Sequence, residues 1–597
     1  MKKMLRLSAL VLSGLLALVL VVTACGNDEE EPTATSAPRP TAAPTTTTAP
    51  AATAVPPTAA PTATSRPTAA IPTPIPTATP APTTSPIQTG GTFRSPLLLD
   101  AGRLDLYFVP SLDIQYLAPV MNGLIQANPY KESEIIADLA QSWTVSQDGK
   151  TYTFKLLPNV KWHDGGSLSS LDVVSTFERV TKPAAGFVSH MALAFDRLAD
   201  ITAPDDLTVV FTLRSPKSSF LSDLSNVHMQ VYPASRIPMT DFARKPIGTG
   251  PFTWKSYART KSLELERNAN YFKKDAAGRA LPYLNGITMT IISDDATSYA
   301  AVRTGRLDVS ELSSRTLEQT GRIDQLQRDV PGMQFDRMTT GHSRVIFNQT
   351  APWTDQRLRR AVHLAIDRPE IIRVARVGFG TANGWAYYPA EFGGQWGLAK
   401  ADFERLPGWG NKTTEFAQAQ QLIKDSGINP ANVSFAILCG AVAQTEALLI
   451  QDQLKKLGFD ASIRVAPTAN FNTDVANGNF TVAIETYGPQ NDDPEWSIPA
   501  IYLPVDPAKG WGVQNRGKWV NQKVVDLYNQ QDAATDPAAR KRIAQDLERE
   551  LIDWAVSISY VTSLRNVAWY PQVKNAPLNM LMFWSNRWRF EQVWLSR

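Results

Sequence analysis

Fifty residues near the N-terminus limit what the chain can fold into. Between Glu31 and Pro80, 42 of 50 residues are Pro, Thr or Ala, and Pro-Thr-Ala recurs at 32, 40, 57, 61, 67 and 76. Such a stretch has too few large apolar side chains to bury, so it cannot build a core. Proline at this density favours polyproline II, which makes the segment a semi-extended spacer of at most about 150 Å at ~3.1 Å per residue. Any packed fold must therefore be built downstream, from about Gly90 onward.

What precedes the spacer reads as an address. Lys2, Lys3 and Arg6 lead into an uncharged run, Leu7 to Ala24, with the character of a secretory h-region. An uncleaved transmembrane anchor is the alternative for a run of that length. Val22-Thr23-Ala24-Cys25 favours cleavage, because it resembles a bacterial lipobox, in which the peptidase cuts before the cysteine and the sulfur of Cys25 carries the lipid. The reading is a signal peptide over 1–24, then a lipidated Cys25 and tether over 25–89.

Three of the 59 Lys and Arg residues lie in the leader, leaving 56 against 56 Asp and Glu. A balance near zero gives no basic face for phosphates, so nucleic acid is not expected as a partner. With Cys25 lipidated, Cys439 has no intramolecular partner, and the fold must rest on packing rather than disulfides. Roughly 500 residues after the tether exceed what one core organises, so several domain-sized units are expected.

The segment Leu139 to Val180 alternates Tyr152, Phe154 and Leu156 around a Gln147-Asp148-Gly149 turn, giving a small antiparallel unit, and a helix starts at Ser169 or Ser170. Leu117, Val120, Met121 and Leu124 upstream fall at helical spacing. Tyr107 and Phe108 sit before them in a loop, where aromatics are candidates for ligand contact. His163-Asp164 in a glycine turn reads as local hydrogen bonding rather than a metal or acid/base pair. Gly248-Thr249-Gly250-Pro251 reads as a rigid turn that uses the freedom of glycine to adopt φ > 0; it lacks the third glycine and following helix of a dinucleotide loop.

Three motifs in order, LAQSWTVSQDGKTYTFKLLPNVKWHDGGSL, PIGTGPFTWKSY with LELERNANYF, and FNQTAPWTDQRLRRAVHLAIDRPEII, strongly resemble the family 5 solute-binding proteins, receptors of peptide, nickel and related ABC importers. The resemblance implies an α/β class II periplasmic-binding-protein fold, two lobes joined by a hinge, with an extra small domain inserted in the first lobe. It divides the chain into lobe I at 90–130, 236–340 and 556–597, the small inserted domain at 131–235, and lobe II at 341–555.

In the third motif Asp355 caps a helix whose Leu358, Ala361, Val362, Ala365 and Ile366 face the core, with Arg357, Arg359 and Arg360 expected in solvent; Asp367 caps the next helix. The glycine-rich loop Gly378 to Gly394 carries Trp385, Tyr387 and Tyr388, the aromatic candidates for ligand contact. Further on, Asp493 before Pro494 reads as an N-cap, a role that does not account for Asp492. In the peptide-binding members of the family an aromatic residue here is followed three positions later by an aspartate that pairs with the peptide's α-amino group. Tyr487 matches the aromatic, and Gln490 stands at the aspartate position. Glutamine cannot neutralise a buried ammonium, which counts against free peptide N-termini unless Asp492 supplies the charge.

No His-Glu-x-x-His, no Gly-x-Ser-x-Gly and no paired-carboxylate motif is present, so neither catalysis, a metal nor a cofactor is expected. The sequence reading is a monomeric, lipid-anchored extracytoplasmic receptor. It takes a peptide or other small polar solute to an ABC permease in the cytoplasmic membrane. A wall-tethered surface adhesin and a non-transport sensor or hydrolase are the alternatives.

Overall fold

The computed structural model describes residues 86–97, 100–101, 104–107, 114–182, 189, 191–237, 246–313, 322–488, 492–506, 511–534, 536–577 and 586–596. The leader, Cys25, the spacer up to 85, Phe108 and Gln490 lie outside the described residues, as does most of the aromatic run at 580–590.

The first lobe opens with β1 (Thr92–Leu97) and a ribbon of β2 (Ile125–Asn128) and β3 (Lys131–Ala137). β4 (Ala140–Val145), β5 (Thr151–Leu156), β6 (Leu198–Asp205) and β7 (Thr208–Leu213) then form an antiparallel sheet in the order β4-β5-β7-β6. This is the small unit anticipated from the alternating aromatics, since Tyr152, Phe154 and Leu156 are buried on its inner face. The helix Ser170–Thr181 covers it, with Ser169 at the cap and Asp172 completing a capping box. The chain returns through β8 (Phe252–Ala258), β9 (Ser262–Arg267) and β10 (Gly286–Ile291), and β1 pairs in parallel with β10 to complete a sheet ordered β1-β10-β9-β8.

A third, six-stranded sheet connects the lobes. It is built from β11 (Val309–Ser313), β12 (Gln334–Phe347), β13 (Ser434–Gly440), β14 (Asp460–Ala466), β15 (Val482–Tyr487) and β16 (Ser557–Trp569), in the order β11-β16-β12-β15-β13-β14. The long antiparallel pair β12 and β16 runs from one core to the other. At one end β16 pairs with β11 beside the first core; at the other β12 pairs with β15 inside the second. The first core gathers residues such as Phe93, Phe154, Phe177, Leu265, Val567 and Phe590. The second gathers Val345, Trp353, Leu358, Ile437, Leu547 and Tyr560. Cys439 is buried near the end of β13, within the second core.

Three sequence expectations are corrected. The helix expected through Leu117, Val120, Met121 and Leu124 covers only Ile114–Leu117 and ends at Leu117. Pro119 has no N–H to continue the helix, and its carbonyl and that of Val120 accept from Phe252 and Gly250 instead. Gly248 and Gly250 do not have positive φ; they are glycines because a Cβ at Gly248 would fall 1.9 Å from the Val120 carbonyl oxygen. Arg359 is buried rather than solvated: it donates to the carbonyls of Trp353 and Trp554 and stacks 4.4 Å over Trp519.

His163 belongs to the same turn by a longer reach than sequence suggested. Its Nδ1 accepts from the Gly248 N–H at 3.3 Å, so the proton sits on Nε2, 3.0 Å from the Gly250 carbonyl that accepts it. The second core follows its local signals closely. Asp355 accepts from the Arg357 N–H, Asp367 from Glu370, and Asp536 from Ala539, each at the start of a helix placed by capping chemistry.

Candidate functional site

The pairing of β12 with β16 is irregular at two places, between Thr339 and Gly341 and between Ser343 and Arg344. Bulges of this kind re-aim side chains and let a sheet bend. They sit where the chain passes from one core to the other, and several candidate residues converge there.

His342 is buried at this crossing. Its Nδ1 shares a hydrogen bond with Thr562 Oγ1 at 2.8 Å, and its Nε2 has no hydrogen-bond partner among the described residues. Burial, with Arg344 adding to it, pulls the imidazole down to about 3, so it is neutral at physiological pH. In the β12–β15 register His342 faces Tyr487, whose ring lies 5.2 Å from the Arg344 guanidinium. Arg344 is itself paired with Glu485.

The glycine-rich aromatic loop lies directly on this crossing. Thr381 bridges to Thr562, and a Cβ at Gly384 would sit 2.6 Å from Thr562 Oγ1 and 2.9 Å from His342. Tyr388 consequently packs against His342 with ring centres 6.0 Å apart. Its neighbour Tyr387 is 3 % exposed, and its hydroxyl has no hydrogen-bond partner among the described residues. Burial and the nearby Glu548 push that phenol well above its ordinary range, so it is a neutral donor and acceptor. Trp385 turns into the second core, between His363 at 5.2 Å and Trp409 at 6.0 Å, with its Nε1–H also unpartnered.

Two carboxylates fix the loop. Asp492 accepts the Gln395 N–H, which ties the segment after β15 to the end of the aromatic loop. Glu548, from the helix Pro537–Trp554, is fully buried and accepts the N–H groups of Ala386 at 3.2 Å and Leu398 at 2.8 Å. Burial raises it to about 7 against the opposing effect of those N–H groups. Asp493 caps the helix Pro494–Ile501 as anticipated and also receives a bidentate pair from Arg540, at 2.9 and 2.7 Å.

The structure therefore brings Tyr387, Tyr388, Tyr487 and Asp492 to one crossing. Tyr107 is elsewhere, buried in the first core against Phe177 and Tyr232, with its hydroxyl donated to the Gln230 carbonyl. Sequence reasoning missed His342, Thr562, Glu548 and Arg540. Only Glu548 left a signal: it falls four residues after Ala544 and three before Leu551, an acidic side chain on the buried stripe of its helix.

The arrangement offers several neutral donors and acceptors, held in low dielectric beside aromatic faces, with Arg344 paired to Glu485 and Arg540 to Asp493. That suits a polar, hydrogen-bonding solute better than chemistry on it.

Comparison with known proteins agrees. The family description "Bacterial extracellular solute-binding proteins, family 5 Middle" matches residues 134–508. A Brucella ovis protein described as an ABC transporter peptide-binding protein is 34% identical over 251 residues, which is 41% of this chain and 45% of that protein, so the match spans about half the relative's length. The glutathione-binding protein GsiB of Shigella flexneri is 24% identical over 71% of this chain and 80% of its own. In fold, the chain resembles the periplasmic binding protein DppA of Helicobacter pylori, solved with the peptide STSA. There the TM-score is 0.69 at 21% identity, covering 85% of this chain and 99% of that one. The chain belongs to the bacterial extracellular solute-binding proteins of family 5.

Proposed function

We propose that this protein is the ligand-capturing receptor of an ABC importer, taking a short peptide or peptide-like polar solute between its two lobes and presenting it to a permease. The observation that carries the reading is the crossing itself. Two cores are joined through β12 and β16, and His342 Nε2 at that junction and the Tyr387 hydroxyl on the loop beside it have no hydrogen-bond partner among the described residues. A peptide amide offers both a carbonyl acceptor and an N–H donor, which is what neutral groups of this kind pair with. Family relatives that bind a peptide or glutathione support the same solute class.

Capture works by differential affinity. Solute that touches both lobes only when they close shifts the population toward the closed form by the difference in contact energy. The division into lobe I (90–130, 236–340, 556–597), an inserted unit (131–235) and lobe II (341–555) is the frame for that motion, and the two separate cores support it. With 15 tryptophans in the chain, titration with pools of short peptides and with glutathione is expected to change emission saturably and raise the melting temperature. If no pool changes either, and native protein carries no solute detectable by mass spectrometry, the receptor reading fails.

Attachment through Cys25 belongs to the same proposal, with the proline-rich spacer holding the lobes away from the lipid surface. Cys25→Ser is expected to move the protein from the membrane fraction to the soluble one. Continued sedimentation with membranes would favour an uncleaved transmembrane anchor.

A further inference from the structure

Trp496 and its neighbours on one helix serve different cores. Trp496 packs in the core of the first lobe and its Nε1 donates to Asp223 at 2.9 Å, whereas Ile498 and Ile501, two and five residues further on, pack in the second core. The helix Pro494–Ile501 is capped by Asp493 and follows Asp492, so its seat fixes where Asp492 meets the Gln395 N–H. The seat is provided by Lys217 and Asp223, which follow β7 in the small antiparallel unit.

The charges at this seat do not balance. Lys217 is 2% exposed and contacts Asp196 at 3.0 Å, Asp223 at 3.5 Å and Glu495 at only 4.0 Å. Arg197 is paired with Asp532, and Arg540 is taken by Asp493 in a bidentate pair. Among the described residues, these three cations meet five carboxylates. Glu495 has the weakest share of positive charge. Its own oxygens receive neutral donors, the Tyr528 hydroxyl at 2.9 Å and the Gln531 amide at 3.0 Å. Asp532 and Asp493 add repulsion that Lys217 and Arg540 offset only in part.

We propose that Glu495 is a positioning residue for ligand capture, which seats the helix Pro494–Ile501, and with it Asp492, against the small antiparallel unit while carrying a proton. The two donors favour the carboxylate, but full burial and the excess negative charge oppose it more strongly; the neutral carboxyl donates its proton to the Tyr528 hydroxyl oxygen, reversing that bond, and ionising it opposes the seating. Seating the helix from a solvated state thus takes up a proton. The proposal deepens the receptor reading and rests on it.

The direction with pH follows from burial. Desolvation, with Asp532 next, raises Glu495 from the ordinary 4.5 to about 8. A raised acid favours the seated form at low pH, and the advantage shrinks between those two values and is gone above the upper one. The groups facing Glu495 are Lys217, Arg197 and Asp223 from the small unit, Asp532 and Tyr528 from the helix Gln522–Ala533, Arg540 from the helix Pro537–Trp554, and Asp493 from its own segment.

The test needs no solute, so its failure is separable from failure of the peptide titration. Infrared difference spectra of the full chain, wild type minus Glu495→Gln, are expected to contain a protonated carboxyl stretch at about pH 6 that is lost by about pH 9. Over the same interval, hydrogen-exchange protection factors in the helix Pro494–Ile501 of the wild type should fall at least about tenfold, and those of Glu495→Gln should stay flat. Lys217→Met, which removes the nearest cation, should move the wild-type midpoint to higher pH. An absent carboxyl band overturns the proposal. So does wild-type protection that is the same at both pH values, a result that decides the matter even where the glutamine variant does not fold.

Discussion

Adding one methyl group at Gly248 is expected to destabilise the protein by more than about 3 kcal/mol, out of the ~5–15 that holds an ordinary domain together. The added Cβ would lie 1.9 Å from the Val120 carbonyl oxygen and 2.8 Å from its carbon, both backbone atoms with no rotamer to change. Nor can the turn back away. The Gly250 N–H is held by Val120, the Gly248 carbonyl by the His163 N–H, the Gly250 carbonyl by Asn268, and the Thr249 hydroxyl by Asn122. Four segments distant in sequence are tied at this point, so relief of one contact breaks another. Gly440→Ala is the control: nothing lies within 4 Å of its Cβ and its φ of −78° suits any residue, so it should change stability by less than about 0.5 kcal/mol. Urea unfolding midpoints compare the two. A Gly248→Ala protein within about 1 kcal/mol of wild type would refute this account of the turn.

The same turn shows what was legible in the sequence and what was not. Its existence, its rigidity and the strands after it are local matters, carried by glycine, proline and alternation, and they were readable. The reason for the glycines was not, because it lies in a backbone 128 positions earlier that sequence placed in a helix. The helix starts at Asp355, Asp367 and Asp493 were readable for the same reason, since a cap bonds to N–H groups two or three residues away. Buried charge was the systematic omission. Arg359 and Glu495 look like surface residues until their partners are known, and even Glu548, on the buried stripe of its helix, accepts its N–H group from Ala386, 162 positions away. Of the residues that meet at the crossing, Tyr387, Tyr388 and Tyr487 could be named from the sequence, because a long glycine-rich loop and a strand end carry their own signals. The polar groups they meet, His342 and Thr562, sit in alternating strands where nothing distinguishes them from ordinary sheet residues.

Removing the Arg540 guanidinium is expected to cost about 3–5 kcal/mol, the usual penalty for breaking a buried pair from one side. Arg540 and Asp493 are 5% and 4% exposed, joined by two parallel hydrogen bonds at 2.9 and 2.7 Å, and the guanidinium also lies 4.4 Å over the Trp396 ring. Arg540→Met keeps the aliphatic stem and its packing but leaves the Asp493 carboxylate buried, beside Glu495 and near Asp532, with its strongest cation gone. Most of the loss is then the stranded charge rather than the lost attraction, and this can be separated by experiment. Asp493→Asn still caps the helix Pro494–Ile501, because asparagine accepts the Glu495 N–H as aspartate does. The double variant Asp493→Asn with Arg540→Met should therefore recover more than half of the stability lost in Arg540→Met alone, a coupling of about 2 kcal/mol or more. If the double variant is as unstable as the single one, Asp493 is not the group that Arg540 holds, and the helix after the candidate site must be seated by packing instead. Where the recovery is seen, the double variant should also regain the solute response of the wild type, since the aromatic crossing and the Asp492 contact to Gln395 are untouched by either substitution.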